Sequence, residues 1–64
     1  MNDELALTIL GKVSFKLKEI AIAADATSKR KDLTVTDRTN AVVVGASMQL
    51  IADTIEEAVK ESLN

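Results

Sequence analysis

The side chains in this chain that could do chemistry are carboxylates, lysines, arginines and a few serines; there is no histidine and no cysteine. The commonest general base and the thiol nucleophile are therefore missing. Ser14, Ser28, Ser47 and Ser62 have no nucleophile-elbow context. Ser47 follows Gly45 and Ala46, but within a helical run, without the strand–turn–helix setting in which a nucleophilic serine works. Neither glycine lies in a phosphate-binding loop pattern. Asp53, Glu56, Glu57 and Glu61 place carboxylates three and four residues apart. That spacing can hold a divalent ion in a helical bundle, but only when the carboxylates face inward, usually with a Glu-x-x-His pair. Here they read as a solvated acidic face. The expectation is no enzyme, no cofactor and no metal.

The remaining chemistry is basic. Lys29, Arg30 and Lys31 are consecutive, and Arg38 follows shortly after. They are the candidate nucleic-acid contacts. The cluster is short, carries no aromatic on which a base could stack, and belongs to a chain of formal charge −2 and pI about 4.9. Phosphate neutralisation, which supplies most nucleic-acid affinity, is poorly served by that balance. The cluster also has a structural explanation, since cations favour the negative end of a helix dipole.

These residues sit on a chain of 64 residues with two glycines, no proline and a single aromatic, Phe15. Such a composition argues against a sandwich or barrel and for an all-α fold in one domain spanning residues 1–64. The core available to so short a chain is small, and it has neither the cysteines for a disulfide nor the ligands of a structural zinc site. Oligomerisation is the remaining route to burial. Asn2, Asp3 and Glu4 are unlike the basic opening of a signal peptide, and no apolar run approaches a bilayer span. The expectation is a cytoplasmic protein with no membrane partner.

The first helix is expected over about residues 3–30, capped by Asn2 or Asp3. Its apolar face is Ala6, Leu10, Val13, Leu17, Ile20 and Ala24, in alternating steps of four and three. A turn over about 31–36 follows. Thr34 with Asp37 resembles a capping box, and Thr36 is a second candidate cap. The second helix is expected over about 37–63, facing inward with Ala41, Val44, Met48, Ile51, Ile55, then Ala58 or Val59, and Ser62 or Leu63. Two helices of similar length and a short connection make an antiparallel hairpin. Thr39 to Ala52 carries no charge at all. A helix of this kind is packed on more than one side.

Apolar residues remain beyond the two inward faces. Phe15 and Ile22 lie opposite the first seam; Val43, Ala46 and Leu50 lie opposite the second. They are the candidate interface, most simply between two hairpins that dimerise into a four-helix bundle. A strip of Ala41, Gly45, Met48 and Ala52 carries small residues four and seven apart, expected in a water-soluble protein to accommodate a large neighbour such as Phe15 or Leu17 rather than a tight helix crossing. Residues 1–32 carry a net charge of +1 and residues 33–64 a net −3. A hairpin therefore has an acidic open end and a basic turn, which favours an antiparallel homodimer. The functional expectation is a small non-catalytic protein acting through self-association or protein–protein binding. One alternative is a nucleic-acid-associated regulator using Lys29, Arg30 and Lys31. Another is a leaderless secreted or export-partner hairpin, a likeness of size and shape alone.

Overall fold

The computed structural model describes residues 3–63. They form two helices, α1 (Asp3–Ser28) and α2 (Val35–Leu63), packed against each other as an antiparallel hairpin. The molecule is a rod of 47 × 15 × 14 Å. Helix α1 stops two residues sooner than the sequence suggests, and α2 starts two residues earlier. Asn2, one candidate cap of α1, lies outside the described residues; Asp3 and Glu4 fill the first turn.

The turn has simple causes. At the end of α1 the amides of Lys29 and Arg30 reach back three residues, to the carbonyls of Ala26 and Thr27, and tighten the last turn. Lys29, Arg30 and Lys31 thus lie just beyond the helix rather than in its final turn. Helix α2 begins at Thr34, whose hydroxyl accepts the Asp37 amide at 3.1 Å while its carbonyl accepts the Arg38 amide at 3.0 Å. This is the cap expected from Thr34 and Asp37, with Asp37 also set against the positive end of the helix dipole.

The contact between the helices differs from expectation. Among the described residues the buried positions are small: Ser14, Ala21 and Ala52. The residues that turn inward on α1 are Leu7, Ser14, Leu17, Ala21 and Ala24, and on α2 they are Arg38, Ala41, Gly45, Met48, Ala52, Ile55 and Val59. The alternation of threes and fours survives, but each helix is turned by roughly 50° from the anticipated face, half of the ~100° step between neighbours. Val13, Ile20, Val44 and Ile51, expected inside, are consequently 42–45% exposed.

The reason is close approach. A Cβ added to Gly45 would sit 3.4 Å from both the Ala21 carbonyl oxygen and the Ala24 Cβ. At Gly45 the strip of α2 therefore lies against small residues of α1, and backbones this near leave no room there for Val or Ile. Among the described residues the buried apolar side chains are Ala21 and Ala52, and no large side chain is fully buried.

Gly45 reports on this contact. Gly45→Ala adds only an ordinary van der Waals neighbour and removes a helix-weakening glycine, so stability is expected to rise by up to about 1 kcal/mol. Gly45→Leu must push the helices apart and is expected to cost about 1–3 kcal/mol. Urea midpoints at one fixed protein concentration check both. Equal stabilisation by the two variants would show that the helices do not touch there.

Candidate functional site

The small-residue seam divides the rod into two sides, and each side carries apolar residues. One side combines Gly11, Phe15, Lys18 and Ile22 of α1 with Val42, Ala46, Gln49, Glu56 and Lys60 of α2, along two shallow grooves. Phe15, Ile22, Val42, Val43 and Leu50 are between 56% and 71% exposed, and Ala46 is exposed as well. The candidate interface residues Phe15, Ile22, Val43, Ala46 and Leu50 thus all lie on the surface. Phe15, Ile22 and Ala46 flank the seam, whereas Val43 and Leu50 lie on the back of α2, opposite it, each two residues from inward-facing neighbours on both sides.

Charge interrupts this side. Ser14, buried at the seam, donates its hydroxyl to the Glu56 carboxylate at 3.1 Å, with the Ala52 carbonyl a longer alternative at 3.4 Å. Lys18 closes an ion pair onto the same carboxylate. The Lys18 ammonium and then the Ser14 hydroxyl hold the Glu56 carboxyl below the ordinary glutamate range, and the Glu56 hydrogen bond raises Lys18 in turn. Gln49 and Asp53 are hydrogen-bonded further along the helix. This arrangement ties α1 to α2 at one register. It offers neither a base of raised pKa nor a positioned nucleophile.

The opposite side has a different chemistry. Ile9, Val13 and Ile20 of α1 and Val44 and Ile51 of α2 all fall on it and are between 42% and 48% exposed. The pairing of Ser14 with Ala52 and of Ala21 with Gly45 fixes their heights. They form one ladder in the order Ile9, Val13, Ile51, Ile20, Val44, with rungs about 5 Å apart over about 21 Å. Each of the five is β-branched and so held near one side-chain rotamer in a helix. Asn40, Ser47, Ala58 and Ser62 fill the α2 flank. Within residues 5–28 and 40–62 this sector holds no charge; Lys16, at its rim, is drawn away to Glu19 at 3.0 Å. Sequence reasoning missed this face because it assigned the same side chains to the interior. The signal was present as a surplus, since Val13, Ile20, Val44 and Ile51 compete with a small-residue strip for the same contact.

The basic turn is largely engaged with its own chain. Lys29 pairs with Asp25 at 3.1 Å. Arg30 makes two bonds to the Asp32 carboxylate, at 3.1 and 2.6 Å, which keep Asp32 below its ordinary range. Arg38 is drawn into the seam, half-buried, with its Nε out of reach of any hydrogen-bond acceptor. Lys29, Arg30, Lys31 and Arg38 therefore share one end of the rod without converging on a common point. Among the described residues no three acidic, cysteine or histidine side chains come together in a way that could hold a metal ion. No described helix is long and apolar enough to cross a membrane.

The Glu56 contact makes acid stability testable. The folded chain holds this carboxylate charged, while the unfolded chain takes up a proton at a higher pH. The stabilisation is therefore complete above the ordinary glutamate range and fades as pH falls through the lowered value. Glu56→Gln is expected to be less stable than the parent at neutral pH, with the difference shrinking toward zero in acid. Urea denaturation of both proteins across pH measures it. A difference independent of pH would show that the charge at Glu56 contributes nothing to folding.

Comparison with known protein families, with characterised proteins and with solved structures finds no match, and the functional reading rests on the geometry of this chain.

Proposed function

We propose that this chain is a non-catalytic helical module whose activity is association: its hairpin is half of a helical bundle, completed by a second protein surface, in the simplest case a copy of itself. One observation carries this reading. Among the described residues the buried positions between the helices are alanine and serine, while Ile9, Val13, Ile20, Ile22, Val42, Val43, Val44, Leu50 and Ile51 are exposed and Leu7, Leu17, Met48, Ile55 and Val59 are no more than half-buried. Burial of large aliphatic side chains is the main favourable term in folding, and most of it is left unused by the hairpin alone.

Surface area supports the same reading. A compact monomer of this mass, 6.9 kDa, has about 4,000 Å² of accessible surface. The rod has 4918 Å². The excess is close to the ~800 Å² that one partner contributes to a standard interface. The side chains able to fill such an interface are already at the surface and need no rearrangement to meet a partner.

Association couples folding to concentration. Circular dichroism is expected to show high helicity with a melting temperature that rises with protein concentration. Light scattering is expected to give a mass above the 6.9 kDa of one chain. A concentration-independent melt at monomer mass would sink self-association as the activity.

A further inference from the structure

Resting on the assembly reading above, we infer that the uncharged ladder Ile9, Val13, Ile51, Ile20 and Val44 is the contact face, and that its occupant is a second copy of this chain lying antiparallel to the first.

The absence of charge selects the kind of partner. Within residues 5–28 and 40–62 the ladder sector carries no ionisable side chain. A partner recognised through complementary charge finds nothing here to read. An equally apolar, equally uncharged surface is the match, and the ladder is such a surface. The side bearing Phe15, Ile22, Val42 and Ala46 is a poorer candidate because Lys18, Glu56 and Lys60 line its grooves. Covering that side would bury an ion pair, whose desolvation offsets much of the gain.

The ladder is also self-complementary. Its middle rung, Ile51, lies level with about residue 16 of α1, which is the midpoint of Asp3–Ser28. A two-fold axis through that point, perpendicular to the rod, overlays two rods along their full length. It places Ile51 against Ile51 of the other copy, Val13 of each copy opposite Ile20 of the other, and Val44 opposite Ala58. Contact of large against small across the last pair follows the interdigitation of well-packed helices. An interface of this kind is isologous and closes on itself as a dimer.

Charge along the rod chooses the direction. The open end gathers Asp3, Glu4, Glu57 and Glu61 against Lys60, a net −3, and the turn gathers Lys29, Arg30, Lys31 and Arg38 against Asp25, Asp32 and Asp37, a net +1. Parallel rods would set each cluster beside its own copy. Antiparallel rods set basic turn beside acidic end. Exposed pairs contribute only about 0–1 kcal/mol each, so the apolar ladder supplies the affinity and the charges settle the orientation.

The test uses the full chain. A spin label on Lys31→Cys marks the turn, far from the ladder. In the antiparallel dimer the two labels are expected to lie near the 47 Å length of the rod. Labels within cross-linking reach of each other would overturn the orientation while leaving assembly standing. Ile51→Glu, a change at an exposed position, is expected to weaken the dimer on the order of 100-fold, since it sets two carboxylates face to face in an apolar contact. Phe15→Glu and Leu50→Glu are expected to leave the dimer intact. A dimer broken by Phe15→Glu or Leu50→Glu but not by Ile51→Glu would overturn the ladder as the face. A parent protein that stays monomeric would overturn the second copy as occupant, together with the reading beneath it.

Discussion

The near contact of two backbones at Gly45 governs this structure. With Ala21 and Ala24 against it at van der Waals distance, the helices are too close at that height to admit branched side chains between them. The most buried positions of the seam, Ser14, Ala21 and Ala52, are accordingly small, while Leu7, Leu17, Met48, Ile55 and Val59 are half-buried along it. Ser14 is tolerated there because a hydroxyl in a narrow seam still reaches an acceptor, and a buried polar group costs little once paired. Val13, Ile20, Val44 and Ile51 are displaced to the flanks. The rod gains many short-range contacts at its centre, and it gives up the larger hydrophobic term that a wider seam would have captured.

Much of the architecture was legible in the sequence. The three–four periodicity marks both helices, Thr34 and Asp37 mark the start of the second, and the absence of proline and scarcity of glycine exclude other classes. The small-residue strip of α2 was visible, but it reads as a seat for a large side chain such as Phe15, whereas Gly45 lies against Ala21 and Ala24. What could not be read was which of two overlapping faces turns inward. A period of 3.6 gives nearly the same score to the face with Val13, Ile20, Val44 and Ile51 and to the face with Ser14, Ala21, Gly45 and Ala52. Hydrophobicity favours the first, and closeness of backbones favours the second. A rotation of roughly 50°, less than one residue step, exchanges them. That difference is a property of a pair of helices and is not written in either one. The same rotation brings Phe15 and Ile22 to the flank of the seam, while Leu50 stays on the back of α2.

Register is set by polar contacts that contribute little to overall affinity between the helices. A seam of alanines is smooth and would let two helices slide past each other. The Ser14–Glu56–Lys18 cluster sits at one height only and ties three side chains from both helices together. The Thr34 cap fixes the other end by dictating where α2 begins. Together they hold Val13, Ile51, Ile20 and Val44 level enough to form one ladder. A shift of a single turn would break the alternation of rungs between the two helices. The polar groups thus act on the apolar face at a distance, through alignment.

The two sides of the rod also differ in a way that bears on solubility. A rod with equally apolar, uncharged sides would stack indefinitely, since each added copy would present another open face. Here one side is free of charge and self-complementary, while the other is broken by Lys18, Glu56 and Lys60 among its apolar residues. In the proposed dimer the first side is consumed and the second faces outward on both surfaces. Its ion pair then remains in water, where it costs nothing to keep, whereas a third rod docking there would have to strip that water away. The asymmetry lets the chain bury its branched aliphatic side chains once and then stop, so charge placed outside the contact limits how far assembly proceeds.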